Sequence, residues 1–367
     1  MGKFSQHTRW LGFVWLLGAA VLLAACQPQA ALDPSQPTPS PTPAETREPP
    51  LAPTAALPSL PHAADDPLRY SFPTPGPEPV SLWRAPLQEV PWALNPNDHF
   101  FFVRPIAADV VNWPLADYRY GGVFFSTDIV HTGIDIPNLK GTPVLAAGPG
   151  KVVWAGYGLY LGGNNPSDPY GQAVTIQHNF GYQGKKLYTI YAHLDSIDAI
   201  IGQWVNTGDQ VGRVGTTGLT TGPHLHFEVR IENNSYFATR NPELWLAPPQ
   251  DCGALVGRLM NTNGSLLTYQ SVVITSLATR QRWTVNSYGK DTVISDDYYR
   301  ENLVIGDLPA GDYQVSLRYR EEDDPLLTQI TIRPGAVTYF TFRGQSGFSS
   351  GLPPTPSPSS WLKFTNP

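Results

Sequence analysis

The stretch Thr221–Arg230, which reads TGPHLHFEVR, decides how the rest of the chain is interpreted. Its apolar and polar residues alternate and include aromatic and β-branched types, which predicts a β-strand. Because residues i and i+2 of a strand face the same side, His224 and His226 project together, with α-carbons about 7 Å apart. Imidazole is the commonest metal ligand and the usual general base near neutral pH. Taken alone, the pair fits a metal or catalytic site, but it also fits two surface histidines on an edge strand.

A second candidate pair lies upstream in Val130–Pro137, where His131 and Asp135 stand four residues apart. A helix would place both on one face, but Gly133, Pro137 and the β-branched neighbours argue against a helix. On a straight strand the two α-carbons would lie about 13 Å apart, which is too far to share one ion. We therefore expect a bend at Gly133 that lets an imidazole and a carboxylate reach one metal at about 2.0–2.2 Å.

The chain around these two stretches predicts a mainly β domain. Short apolar segments alternate with glycine turns, as expected for hairpins or a meander. Two connections, Gly156–Gly171 and Asn179–Lys186, are long for such a meander. The predicted strands lie within residues 141–156, 173–178, 187–194 and 205–215.

Four motifs of this region occur in the order found in one known family. They are His131-x-Gly-x-Asp135, Gly141-Thr-Pro-Val, Tyr191-Ala-His193-Leu and Gly222-Pro-His224-Leu-His226-Phe-Glu. The chain resembles the lysostaphin/LytM-type zinc metalloendopeptidases, which cut the peptides of peptidoglycan, over about residues 124–230. The resemblance implies a LytM-type antiparallel β-sheet peptidase domain with peptidoglycan as its substrate.

Carried over by position, the resemblance makes His131, Asp135 and His226 the ligands of one Zn²⁺ ion, and His193 and His224 the catalytic pair. Three protein ligands leave a fourth position to water, as in catalytic zinc sites. In that scheme His224 takes the proton of the water, and His193 stabilises the oxyanion or relays the proton. The resemblance therefore implies a zinc-dependent endopeptidase that hydrolyses peptide stems or cross-bridges of peptidoglycan through a metal-activated water.

Two other interpretations stay open at this point. A non-catalytic, wall-binding lipoprotein that scaffolds or activates another hydrolase would share the fold, although all five site positions are filled here. The glycine-turned strands of 141–156 and 205–215 are also typical of lipoyl or phosphotransferase carrier domains, but no modifiable lysine occupies the corresponding hairpin turn. With a net charge of −6 and no large basic cluster, the chain is not expected to bind nucleic acid.

The beginning of the chain predicts an exported protein with a lipid anchor and a linker. Residues 1–25 combine a basic head with a short apolar run, as in a secretory signal peptide. The run ends Leu23-Ala-Ala-Cys26, which resembles the bacterial lipobox and makes Cys26 the expected lipidation site. We therefore expect an extracytoplasmic protein that is lipid-anchored to the bacterial cell membrane. Residues 26–90 hold 17 of the 38 prolines and are expected to form a disordered linker. Cys252 is then left without a disulfide partner.

The remaining chain predicts a peptidase domain at 91–249, a small β-sandwich at 250–345 and a disordered Ser/Pro-rich tail at 346–367. Alternation is clearest at Tyr313–Arg320, which indicates one buried and one solvated face. The segment Gly306–Tyr313 resembles transthyretin-like or carboxypeptidase-regulatory-like domains, which implies a spacer or a module that binds wall or glycan. The predicted sandwich strands are Ala254–Met260, Ser271–Thr275, Arg282–Val285, Asn302–Ile305, Asp312–Arg320, Thr328–Arg333 and Thr338–Phe342.

Three further features of the predicted peptidase region also lead to predictions. The lead-in 91–129 lacks the glycine-rich segment with a basic residue that many family members show, and it is expected to add strands or wall off one end of the groove. His178 is expected to be structural or groove-lining rather than a metal ligand. His99 has no supporting partner in the sequence and is assigned no role.

Overall fold

The computed structural model describes residues 97–106, 118–124, 129–289, 293–320 and 324–353. Within these residues the chain is built almost entirely of β-strands, which confirms the predicted fold class. No helix in this part of the chain is long and apolar enough to cross a membrane. The predicted signal peptide, Cys26, the linker to residue 90 and the tail from residue 354 lie outside the described residues.

The described peptidase region contains one antiparallel sheet of nine strands, preceded by a short two-stranded ladder. Its strands are β1 (Val123–Phe124), β2 (Ile129–Val130), β3 (Ile134–Pro137), β4 (Pro143–Leu145), β5 (Gly150–Gly156), β6 (Gln172–Tyr182), β7 (Lys185–Ile197), β8 (Trp204–Val205), β9 (Gln210–Val214), β10 (His224–Ile231) and β11 (Thr239–Arg240). The main path of the sheet runs β11-β10-β7-β6-β5-β8, while β3 pairs with β10, and β9 pairs with both β4 and β7.

Most of the stretch Thr221–Arg230 lies in strand β10, which is buried along its whole length. It pairs with β7 on one edge and with β3 and β11 on the other. One set of alternate side chains packs into the hydrophobic core, namely Leu225, Phe227, Val229 and Ile231. Because side chains alternate along a strand, the other set shares the opposite face. That set is His224, His226, Glu228 and Arg230.

The connection between β6 and β7 differs from the long turn expected at Asn179–Lys186. The two strands continue to Tyr182 and from Lys185, so that only Gln183 and Gly184 lie between them. Both residues have positive φ, 51° and 76°, which is the conformation of a type I′ hairpin turn. The prediction of a long turn is wrong because the strand pairing Tyr182–Lys185 and Gly181–Lys186 extends through residues that the sequence pattern assigned to the loop.

The second described region contains two four-stranded sheets that enclose one hydrophobic core, as predicted for a β-sandwich. Its strands are β12 (Cys252–Met260), β13 (Ser271–Ser276), β14 (Arg282–Asn286), β15 (Leu303–Pro309), β16 (Gly311–Leu317), β17 (Leu326–Ile332), β18 (Val337–Arg343) and β19 (Phe348–Ser350). One sheet runs β15-β12-β18-β19 and the other β14-β13-β16-β17, and the β12–β18 pair is parallel. Cys252 is buried at the start of β12.

The structure departs from the predicted tail at its first residues. Phe348–Ser350 pairs antiparallel with β18, and the Phe348 ring contacts Phe340 and Phe342. The Ser/Pro composition that predicts disorder therefore begins after this strand, because Phe348 supplies the apolar contact that a disordered tail lacks.

The peptidase sheet and the sandwich pack on a common core. Leu244 and Trp245 belong to the same buried cluster as Val256, Val304 and Tyr339 of the sandwich. His99, for which the sequence offered no partner, is buried at this boundary. Its Nε2 lies 3.1 Å from Asp296 Oδ2, and its ring contacts those of Trp245, Tyr182 and Tyr299. His99 therefore joins the two regions through one ion pair and an aromatic cage.

A buried carboxyl at the same boundary predicts a pH-dependent stability. Burial, together with the charge of Asp296, raises the pKa of Glu301 to about 7. Because this folded-state value lies above the usual 4.5, the folded protein binds more protons than the unfolded chain between about pH 4.5 and 7. Stability should therefore fall as pH rises through this window, by at most about 3 kcal/mol from this group.

We expect Glu301→Gln to flatten the dependence of the melting temperature on pH between about 5 and 8, because glutamine does not titrate. Thermal unfolding of the wild type and the variant, followed by circular dichroism, checks this. Glu232→Gln, at an exposed glutamate, is the control and should retain the wild-type slope. Equal slopes for Glu301→Gln and the wild type would contradict the assignment.

Candidate metal centre and active site

Two paired strands bring Asp135 and His226 together. The antiparallel register of β3 and β10 places Asp135 directly opposite His226, and Oδ1 of Asp135 lies 3.1 Å from Nδ1 of His226. The chain reaches β3 through Gly133, where a Cβ atom would lie 2.4 Å from the Phe227 carbonyl oxygen and 2.9 Å from the His226 ring. Gly133 is required here because the backbone passes so close to β10, which adds a steric reason to the bend expected from the sequence.

His131 completes the group from the other side of this bend. Its Nε2 lies 3.0 Å from Asp135 Oδ1 and 3.0 Å from His226 Nδ1. Its Nδ1 donates to the carbonyl oxygen of Arg119 at 3.0 Å. All three side chains are buried, and they form the one group in the described residues whose donor atoms lie close enough to share a metal ion.

The hydrogen bonds outside this group define which ring nitrogens face inward. Because a carbonyl only accepts, the proton of His131 sits on Nδ1, and Nε2 presents a lone pair. The Nε2 of His226 likewise lies 3.1 Å from the Glu228 carboxylate, which leaves its Nδ1 directed at Asp135. Two inward-facing imidazole nitrogens and one carboxylate oxygen therefore face one another at 3.0–3.1 Å. Such an arrangement needs positive charge among these atoms, supplied either by a proton on an imidazole or by a metal ion.

The ionisation of these groups agrees with a site for positive charge. Burial opposes charge on the His226 ring, but hydrogen bonds to Asp135 and Glu228 outweigh it and raise its pKa to about 9. Burial also opposes ionisation of Asp135, yet the neighbouring His131 and His226 hold the pKa of its carboxyl well below the usual range. A proton on His226 and a metal ion are alternative ways to satisfy the same negative environment.

His193 reaches the site through a strained backbone. It lies between Ala192, which pairs with His226, and Leu194, which pairs with Val214, and its φ is 62°. Left-handed backbone is uncommon for a residue with a Cβ, costs about 1–3 kcal/mol, and clusters at functional sites. The strain interrupts the regular alternation of β7, so that His193 lines the same cavity as His226.

Both predicted catalytic histidines are held in one tautomer by backbone carbonyls. Nδ1 of His193 donates to Thr217 at 2.8 Å, and Nδ1 of His224 donates to Gly222 at 2.8 Å. Burial lowers the pKa of His193 to about 3, and it also lowers the pKa of His224. The two neutral rings lie 4.9 Å apart in an edge-to-face arrangement, and Nε2 of His224 is 3.4 Å from Asp135 Oδ1.

The five predicted site residues border one cavity of about 350 Å³. Tyr118 supplies part of its wall, and the predicted loop at Gly156–Gly171, which precedes β6, contributes Tyr160, Pro169 and Tyr170. That loop is fixed by the buried Asp168, whose carboxylate accepts the backbone N–H groups of residues 160, 161 and 170. The cavity is therefore walled by a rigid loop as well as by the sheet.

Sequence reasoning missed a polar network behind His226. Glu228 Oε1 accepts hydrogen bonds from Thr132 and Tyr170, both at 2.6 Å, besides facing His226, and its Oε2 accepts from Arg230 at 2.7 Å. Arg230 also donates to the Tyr170 hydroxyl at 2.9 Å. Burial opposes ionisation of Glu228, but the Arg230 charge together with the hydrogen bonds from His226 and Thr132 outweighs it and lowers the pKa of the carboxyl. The signal was present, because Glu228 and Arg230 continue the i, i+2 face that begins at His224.

We expect Glu228→Gln to weaken zinc binding by about 10–100-fold, the usual cost of losing an outer-shell partner of a metal-binding histidine. Glutamine keeps the volume but loses the charge that orients the His226 proton to Nε2. Competition with a chromophoric chelator measures the affinity. Thr189→Val is the control, because Thr189 is equally buried in the same sheet but bonds to His178 and Tyr191 instead. Unchanged zinc affinity in Glu228→Gln would contradict this role.

His178 lies away from the cavity. It is buried, and its two ring nitrogens bond to the Pro149 carbonyl at 3.0 Å and the Thr189 hydroxyl at 2.9 Å. Burial lowers its pKa to about 3, so it is a neutral residue that ties two parts of the sheet together.

Comparison with known proteins identifies the domain that carries this geometry. Residues 129–238 match peptidase family M23, and the chain therefore contains a peptidase family M23 domain. The matched range includes all five predicted site residues. This match confirms the resemblance that the four sequence motifs indicate.

Two relatives and one solved structure are similar to parts of the chain. DD-carboxypeptidase/endopeptidase Mpg of Neisseria meningitidis serogroup B is 35% identical over 170 residues, which cover 43% of this chain and 36% of that protein. Outer membrane antigenic lipoprotein B of Haemophilus influenzae is 36% identical over 134 residues, which cover 36% of this chain and 29% of that protein. The matched parts thus span about a third of the length of the curated relatives. The catalytic domain of the antimicrobial peptidase lysostaphin from Staphylococcus simulans is 29% identical, with 34% of this chain and 86% of that structure covered and a TM-score of 0.30.

Proposed function

We propose that this chain is a zinc-dependent endopeptidase that hydrolyses peptide stems or cross-bridges of bacterial peptidoglycan. The observation that carries the proposal is the convergence of three possible ligand atoms, on His131, Asp135 and His226, beside two neutral histidines in one cavity. The M23 domain and the name of the Neisseria relative, a DD-carboxypeptidase/endopeptidase, support the peptidase class.

The donor set fits zinc. Two imidazole nitrogens and one carboxylate oxygen are ligands that zinc accepts, and three protein ligands are typical of its catalytic sites. We expect Nε2 of His131, Oδ1 of Asp135 and Nδ1 of His226 to hold one ion. When bound, zinc would lower the pKa of a water molecule and polarise the scissile carbonyl.

His224 is the proposed general base. Its Nδ1 proton is bonded to the Gly222 carbonyl, so Nε2 carries the lone pair, and burial keeps the ring neutral. A neutral imidazole of this tautomer can accept the proton of the attacking water and then pass it to the leaving amine.

His193 is proposed to relay that proton. Its Nδ1 proton is also bonded to a backbone carbonyl, that of Thr217, so the neutral ring offers the cavity an acceptor rather than a donor. It can donate to an oxyanion only after taking a proton at Nε2. Of the two roles expected from the sequence, the tautomer therefore favours the relay.

The cavity fits an uncharged stretch of peptide. Apart from the five site residues, the described residues that line it carry no charge. They are Tyr118, Val130, Thr132, Tyr160, Pro169, Tyr170, Leu219, Thr220, Thr221 and Tyr236. Tyrosine and threonine offer apolar surface together with hydroxyl groups that can bind peptide N–H and C=O groups.

We further propose that the protein acts outside the cytoplasm, anchored by lipid at Cys26. The name of the Haemophilus relative, an outer membrane antigenic lipoprotein, supports this location. Binding of wall or glycan by the sandwich stays a prediction from the sequence.

The experiment that tests the function incubates the full chain with purified peptidoglycan and measures new amino termini. Chelation should abolish their release, and about one equivalent of zinc should restore it. A zinc-loaded chain that binds peptidoglycan but releases no new amino termini would favour the non-catalytic scaffold instead.

A further inference from the structure

A short segment before the M23 match fixes the ring of His131. The carbonyl oxygen of Arg119 accepts the Nδ1 proton of His131 at 3.0 Å. The backbone of His131 also exchanges hydrogen bonds with the same segment, donating to Gly122 at 2.8 Å and accepting from Gly121 at 2.8 Å. Because one ring nitrogen and both backbone groups are bonded here, the position of residues 119–122 determines where Nε2 of His131 points. Arg119, Gly121 and Gly122 therefore support the site, although the sequence pattern indicated no glycine-rich segment with a basic residue before His131.

The first contact that fixes residues 119–122 involves Glu243. The side chain of Arg119 donates to Glu243 Oε2 at 2.9 Å, and the backbone N–H of Gly306 in the sandwich donates to the same oxygen at 2.6 Å. Arg119 is 4% exposed and Glu243 is 1% exposed, so this bridge is shielded from water. A charge-assisted hydrogen bond in such surroundings fixes the geometry of both partners.

The second contact joins Tyr120 directly to the sandwich loop before β15. The ring of Tyr120 meets that of Tyr288 edge to face at 5.1 Å, and the backbone N–H of Ile294 donates to the Tyr120 hydroxyl at 3.0 Å. Val293 and Val130 complete this buried cluster. The approach is very close, since a Cβ atom on the neighbouring glycine, residue 121, would lie 2.3 Å from Cβ of Tyr288.

We propose that the β-sandwich is a positioning element of the metal centre, in which Tyr288, Ile294 and Gly306 hold the 119–122 segment and that segment aims His131. This inference rests on the zinc site of the proposed function. The sandwich residues do not line the cavity, and they act through Arg119 and Tyr120. A sandwich that were only a spacer or a wall-binding module would have no influence on the zinc affinity.

The test compares two buried tyrosines of the sandwich in the full chain. Tyr288→Ala removes the ring that packs against Tyr120 and so weakens the contact of residues 119–122 with the sandwich. Tyr313→Ala is the matched control, because Tyr313 is 2% exposed in the sandwich core, where it contacts Trp283 and donates to the Pro309 carbonyl. Zinc affinity by chelator competition and the absorption spectrum of the cobalt-substituted protein are measured below the melting temperature of each variant.

We expect Tyr288→Ala to weaken zinc binding by about tenfold or more and to alter the cobalt spectrum, as loss of an outer-shell support does. Tyr313→Ala should lower the melting temperature and leave both readouts within twofold of the wild type. If Tyr288→Ala does not fold, Glu243→Gln carries the same test, with an expected loss of about threefold or more, because it removes the charge that holds Arg119.

Zinc affinities of Tyr288→Ala and Glu243→Gln within twofold of the wild type would overturn the inference and leave the proposed function standing. An equal loss in Tyr313→Ala would overturn it too, since the effect would then follow from general destabilisation. A wild-type chain that binds no zinc would overturn the proposed function and this inference together.

Discussion

His226→Ala should leave the chain unable to hold zinc at stoichiometric concentrations and reduce peptidoglycan hydrolysis to the uncatalysed background. His226 supplies one of three inward-facing atoms, and the pairing of its strand with β3 also places Asp135. Removing this ring should lower the zinc affinity by more than about 10–100-fold, which is the usual effect of removing a hydrogen-bond partner of a metal-binding histidine. Metal analysis after gel filtration and release of new amino termini measure the two effects.

The matched control for this substitution is His178→Gln. His178 is a buried histidine of the same sheet whose nitrogens bond to Pro149 and Thr189, away from the cavity. We expect the His178→Gln variant to have a lower melting temperature and to bind zinc as the wild type does. A His226→Ala variant that binds one zinc with wild-type affinity would show that the ion lies elsewhere.

His224→Ala should separate catalysis from metal binding. His224 lies on the same face of β10 as His226, but its Nε2 is 3.4 Å from Asp135 Oδ1, and its proposed role is that of a base. Zinc affinity should stay within about threefold, while kcat should fall by about 10²–10⁴-fold, the usual contribution of general acid–base catalysis. Steady-state kinetics on a cross-linked muropeptide, with zinc content measured on the same samples, tests both expectations.

Two outcomes would contradict the role of His224. Full activity of His224→Ala would exclude it as the base and favour His193 for that step, because both rings present a lone pair on Nε2. Loss of zinc in parallel with activity would make His224 a ligand instead.

Sequence patterns pointed to the five residues that the structure gathers around one cavity and to most of the strands. The i, i+2 spacing of His224 and His226 and the family order of the motifs rest on local pattern, which a sequence displays directly. The sandwich strands were predictable for the same reason, since their alternating residues face one core. The match to peptidase family M23 confirms the family that these motifs indicated.

What the sequence could not predict depends on contacts between distant segments. The Arg119–Glu243 pair joins residues 124 positions apart, and His99 finds its partner Asp296 in another region of the chain. The left-handed φ of His193 is likewise set by its surroundings, because positive φ is uncommon for any residue with a Cβ, although histidine adopts it more often than most. Such features follow from tertiary packing, so no window of sequence contains them.

The most direct test of the central claim is mass spectrometry of a purified, peptide cross-linked muropeptide dimer incubated with the zinc-loaded full chain. We predict that the dimer is converted to peptide fragments with the addition of one water per bond, and that the zinc-loaded His224→Ala variant leaves it intact over the same time. A dimer that remains whole with the zinc-loaded wild type, or that is cut only in its glycan, would contradict the account.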